Sequence, residues 1–170
     1  IVQCLVGSEM CIRDRGTQLT GVSVDASNDV GVINLTGGGA MGITATGGVV
    51  AIGAPITEAL ASDLTIAATG NVTTAAITLG VTAGSTLSIT ADSDSTGADT
   101  LMSTGVINTD GNITLSGGDG DETIDIDANV TGAGALVLTQ GNVDLAADVD
   151  LTGGTSVTAT AGVGSITLSG

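Results

Sequence analysis

From Gly16 to Gly170 the chain contains no Lys, Arg, His, Cys, Phe, Tyr or Trp, so any chemistry there falls to carboxylates and hydroxyls. Nucleophilic and acid-base catalysis usually draw on His, Cys or Lys, or on paired carboxylates in a cleft. One such pair is Asp125 and Asp127, which an extended backbone places on one face while Ile124 and Ile126 point to the other. Two carboxylates are the minimum equipment of an acid-assisted glycan hydrolase. A polysaccharide lyase also needs a cation or a basic residue beside its carbanion, and this stretch has no basic residue. The pattern therefore assigns no catalytic residue, and a non-enzyme is expected.

Oxygen-rich clusters suit a hard cation better. The segment Asp92-Ser93-Asp94-Ser95-Thr96-Gly97-Ala98-Asp99 has a DxDxTGxD spacing that resembles the first half of a calcium loop. The twelfth position of such a loop falls on Ser103 instead of a bidentate glutamate, which predicts weak binding. Residues Gly117 to Asp125 (GGDGDETID) resemble one nonapeptide of a calcium β-roll, with Glu122 where aspartate is expected. A β-roll site needs tandem copies, because one turn supplies half the oxygen cage, and no second copy follows. The candidate Ca2+ ligands are thus Asp92, Asp94, Asp99, Asp119, Asp121 and Glu122, and no other cofactor is indicated. The competing reading is that both clusters are solvated acidic turns that keep a sheet-rich rod soluble and discourage edge pairing.

The elements that would carry these residues are short strands. Apolar-polar-apolar triplets such as Leu64-Thr65-Ile66, Leu87-Ser88-Ile89, Ile113-Thr114-Leu115 and Ile166-Thr167-Leu168 recur through the chain, embedded in Thr, Ser, Gly, Ala, Asp and Asn. Alternation with period two, rich in β-branched residues, is the mark of a half-buried strand. Gly-Asn or Gly-Ser pairs precede many of them, at Gly70-Asn71, Gly84-Ser85, Gly111-Asn112, Gly141-Asn142 and Gly164-Ser165. The strings GNITLSG (111–117) and GSITLSG (164–170) are nearly one word, which argues for a solenoid whose coils stack on their neighbours. Coils of roughly 20 to 25 residues predict about seven of them in this length. Pro55 to Asp63 interrupts the pattern, and a short helical or irregular excursion is expected there.

A β-sandwich would anchor its core with aromatics, and a membrane barrel would carry aromatic girdles; this chain has neither. No run of 18 apolar residues exists to span a membrane as a helix. Thr-x-Thr arrays mark some ice-binding solenoids, but Thr44-Ala45-Thr46 and Thr158-Ala159-Thr160 are two isolated copies and make no array in the sequence. The formal net charge of −16 argues against nucleic acid and anionic lipid as partners, because binding either relies on Lys and Arg.

Leu5 to Arg15 (LVGSEMCIRDR) stands apart, holding Cys11 and both arginines, with Cys4 at its edge. Along its whole length it resembles the translation of a transposon adapter used in shotgun sequencing libraries. The expected division is therefore 1–15, adapter-derived and without native structure, and 16–170, a solenoid repeat region cut at both ends. Glu9 and Asp14 leave with the two arginines, so every charge in the remainder is negative.

With GNITLSG, GNVDLAADVDLTGG (141–154) and GSITLSG, this region resembles the repetitive passenger regions of filamentous-haemagglutinin-type and autotransporter adhesins of bacteria. The resemblance implies an all-β, right-handed parallel β-helix, secreted to the bacterial cell surface, serving as a non-catalytic structural or adhesive repeat. A host or neighbouring-cell receptor or glycan would be bound by other parts of the protein, with no membrane insertion by this segment. The alternatives are a calcium-stabilised repeat of surface-layer or secreted-toxin type and a glycan hydrolase on a β-helix.

Overall fold

The computed structural model describes residues 4–6, 9–11, 22–23, 33–34, 39–45, 49–53, 55–58, 62–80, 84–118, 122–146, 148–160 and 166–168. Near the N-terminus, β1 (Cys4–Val6) and β2 (Glu9–Cys11) pair antiparallel. Next come β3 (Val22–Ser23), β4 (Ile33–Asn34), β5 (Gly39–Ala45), β6 (Val50–Ile52), β7 (Ile56–Glu58), β8 (Ser62–Ala68), β9 (Val72–Thr74) and β10 (Ile77–Leu79). They are followed by β11 (Thr86–Thr90), β12 (Thr100–Ser103), β13 (Ile107–Thr109), β14 (Ile113–Ser116), β15 (Thr123–Ile126) and β16 (Val130–Gly132). The last are β17 (Ala135–Thr139), β18 (Asn142–Leu145), β19 (Leu151–Gly153), β20 (Ser156–Thr160) and β21 (Ile166–Leu168).

From β3 onward all pairing is parallel, in three sheets. The first runs β3-β5-β8-β11-β14-β17-β20, the second β6-β9-β12-β15-β18-β21 and the third β4-β7-β10-β13-β16-β19. From β5 the chain visits first, second and third sheets in turn, so each circuit is one coil of a parallel β-solenoid. Four coils have all three strands described almost throughout with their side chains: β8 to β10, β11 to β13, β14 to β16 and β17 to β19. The seven coils expected from the length are more than these four, and part of that length lies outside the described residues.

Alternation dictates what goes inside. In the first sheet Leu64, Leu87, Ile113 and Leu136 stack in register, as do Ile66, Ile89, Leu115 and Leu138, all essentially without exposure. Val72, Leu101, Ile124 and Val143 from the second sheet and Ile56, Ile77, Ile107 and Val130 from the third complete one apolar column. Residues of this size fill a narrow interior without any aromatic ring.

Many of the apolar-polar-apolar triplets lie on strands, but several strands of the second and third sheets escape that template. In β9, β12, β13, β16 and β19 the second inward position is Thr74, Ser103, Thr109, Gly132 or Gly153, so only one large apolar residue marks the strand. Thr109 tolerates burial because its Oγ1 donates to the Ser85 carbonyl (3.2 Å) and accepts the Gly111 N–H (3.1 Å). The corner asparagines act between coils as well as in turns. Asn71, Asn112 and Asn129 each accept, through Oδ1, a backbone N–H of the next coil, from Thr100, Ala135 and Asp150 at 2.7 to 2.9 Å.

The expected excursion at Pro55 to Asp63 is corrected in part. Ile56–Glu58 is strand β7, with Ile56 buried between Ile33 and Ile77, and Ser62 already begins β8. The inward-facing isoleucine overrides the local helix-start signal of Pro55 and Glu58. Residues 59–61 lie outside the described residues, and no helix occurs among those described.

Candidate functional site: the acidic corner

Corners between the first and second sheets are short in most coils: three residues between β8 and β9, two between β17 and β18. Between β11 and β12 the corner takes nine, 91–99, and it holds Asp92, Asp94 and Asp99. This insertion, together with the six residues between β10 and β11, is why Ile107 follows its in-register partner Ile77 by 30 residues, whereas Val143 follows Ile124 by 19. The excess length projects from the coil as an acidic loop.

Its base is tightly held. Ser93 N–H donates to the Ala68 carbonyl (2.8 Å) and Asp92 N–H to Gly70 (3.3 Å), both on the preceding coil. Asp92 and Ser95 adopt φ of 49° and 58°, a left-handed conformation that Asp tolerates better than most residues. The Asp92 Oδ1 accepts the N–H of Thr96 (2.8 Å), and Thr96 Oγ1 donates to Asp94 Oδ1 (2.9 Å). Asp92 is fully buried while Asp94 is exposed. Burial raises the pKa of Asp99 above the ordinary carboxylate value, and the nearby charges of Asp92 and Asp94 raise it further. The three carboxylates therefore share one neighbourhood.

The second calcium-like segment lies against the first, one coil on. Gly118, at φ 101°, packs so closely that a methyl group there would strike the Asp92 carbonyl oxygen. Glu122 is fully buried, and its carbonyl accepts the Asn142 N–H (2.7 Å) and Nδ2 (3.2 Å). Asp119 and Asp121 lie outside the described residues. Solvated turns therefore describe Asp94 but not Asp92 or Glu122. Among the described residues, no three acidic side chains are arranged to hold a metal by themselves.

Asp125 and Asp127 follow their expected faces, with Ile124 and Ile126 buried. Parallel register adds a carboxylate that local spacing missed: Asp144 of β18 stands directly beside Asp125. Partial burial raises the Asp125 pKa, and Asp127 and then Asp144 raise it further. A carboxyl group whose pKa is higher folded than unfolded contributes stability present below its unfolded pKa and lost as pH rises through the folded value. Asp125→Asn is therefore expected to raise the melting temperature at pH 7. Circular dichroism melts of variant and parent at pH 7 and pH 4 check this: the difference should shrink towards pH 4.

An open groove of about 510 Å³ runs along a corner after the third sheet, lined by Asn108, Asp110, Thr131 and Thr152 among others. Asp125 and Asp127 do not line it. The outward side of the first sheet carries hydroxyl columns of which only Thr158 and Thr160 show as Thr-x-Thr in the sequence. Thr65, Ser88, Thr114 and Thr158 align with Val137 interrupting, and Thr90, Ser116, Thr139 and Thr160 align beside them. No protein-family model, curated protein or solved structure matches the chain.

Proposed function

We propose that this chain is a non-catalytic structural and adhesive repeat segment of a large secreted bacterial surface protein. One observation carries the reading: three in-register parallel ladders surround a single apolar column and repeat coil after coil. Each coil is tied to the next on all three sides, a construction suited to holding something at a distance. The coils wind right-handed, as parallel crossover connections do. Hydroxyl columns and acidic corners keep the surface hydrated, and no described helix is long and apolar enough to cross a membrane. The receptor or glycan of a host or neighbouring cell is contacted by other parts of that protein.

Pulling the full chain from its two ends in a force microscope tests the mechanical reading. Coils of 19 to 30 residues should peel off in successive steps of roughly 65 to 100 Å, at about 3.4 Å per extended residue. Release of the whole fold in one event would overturn it. A glycan-cleaving activity that Asp125→Asn abolishes would replace it with the hydrolase reading.

A further inference from the structure

Asp92 has no exposed surface, and the two oxygens of its carboxylate are treated differently. Oδ1 takes the Thr96 N–H, whereas Oδ2 is equally buried and has no hydrogen-bond partner of either kind. A buried carboxylate in this state must be neutralised by a base, a proton or a metal ion. No base is available from the elements packed on the corner, since residues 16–170 contain none. A proton on Oδ2 would replace an acceptor lacking a donor with a donor lacking an acceptor, and would leave the charges of Asp94 and Asp99 facing each other across the same loop. A divalent cation answers both deficits, and all-oxygen surroundings favour a hard one.

We propose that the 91–99 corner binds one divalent cation of the calcium class, with Asp92 Oδ2 as the inner ligand and Asp94 and Asp99 supplying charge at its open side. Because no three acidic side chains enclose the position, water and backbone carbonyl oxygens complete the six to eight contacts that calcium takes. So open a site belongs in the weak, extracellular range of affinity, with a Kd of about 10⁻⁴ to 10⁻³ M. The proposal is independent of the rod reading, since the corner would bind its ion whatever the solenoid is for.

Isothermal titration of the full chain with CaCl2, at fixed ionic strength and under reducing conditions, tests it. One saturable site is expected, together with a melting temperature raised by roughly 3 to 11 °C in 10 mM Ca2+. Sodium chloride of equal ionic strength controls for screening of the net charge of −16. Asp92→Asn should weaken Ca2+ binding at least tenfold, while Asp150→Asn, at an exposed site away from the corner, should leave it unchanged. If Asp92→Asn fails to fold, the double variant Asp94→Asn/Asp99→Asn serves instead, with a several-fold loss of affinity expected. The proposal is overturned if titration does not saturate, if NaCl reproduces the stabilisation, or if the corner variants bind Ca2+ as well as the parent does.

Discussion

Ile113→Asp is expected to abolish cooperative unfolding of the chain, and Ile113→Ala to lower its stability by about 2 to 5 kcal/mol. Ile113 lies inside the first sheet, fully buried and in register between Leu87 and Leu136. Truncation to alanine leaves a void in the apolar column, and neighbours held by three hydrogen-bonded ladders cannot readily collapse into it. An aspartate there would place a charge among aliphatic side chains with no base to answer it, a cost of several kcal/mol beyond the lost packing. Typical domains hold only 5 to 15 kcal/mol in total, so the charged variant should lose the fold. Urea denaturation followed by far-ultraviolet circular dichroism measures both, and the chain's lack of tryptophan makes that probe preferable to fluorescence. An Ile113→Asp variant as stable as its parent would show that the apolar column is not what holds the coils together.

Gly111→Ala should cost about 3 kcal/mol or more, lowering the melting temperature by roughly 6 to 12 °C. Gly111 sits where one coil's corner crosses the one before, and an added methyl group would land on the carbonyl oxygen of Ser85. That obstacle is backbone, already accepting Thr109 Oγ1, so it cannot rotate aside. Gly42→Ala is the contrast. Nothing lies within 4 Å of its added methyl group and its φ is not positive, so alanine there should be neutral or stabilising by up to about 1 kcal/mol through the unfolded chain. Thermal melts of the two variants separate close coil-to-coil approach from general glycine flexibility. Equal effects would show that the approach at Gly111 carries no energetic weight.

How much was legible depended on how local the signal was. Leu64-Thr65-Ile66 announces a strand because both large side chains fall on one side of an extended backbone, and β8 is the result. Val130-Thr131-Gly132 is equally a strand, β16, but its second inward residue is glycine, so alternation of hydrophobicity does not reveal it. That residue pattern recurs mostly in the second and third sheets, which hid the three-sided coil behind an apparent spacing of about ten residues. The candidate site divides the same way. Composition placed Asp92, Asp94 and Asp99 together because they are neighbours in the chain, yet solvated turns and a buried carboxylate look identical in sequence.

The chain's local chemistry determined an all-β repeat with an aliphatic interior, an acidic surface and no basic side chain after Arg15, since these follow from period-two alternation and from which residue types are absent. Stacking decided the rest. Asp144 comes beside Asp125 across 19 residues, Ser88 comes beside Thr65 and Thr114 in one hydroxyl column, and Asp92 is buried at its corner between the neighbouring coils. Each depends on the register between coils, and register is set by corner lengths that vary from two residues to nine together with the packing of a shared core. Pleating is a property of each strand alone, whereas which side chain meets which on the next coil is a property of the whole stack.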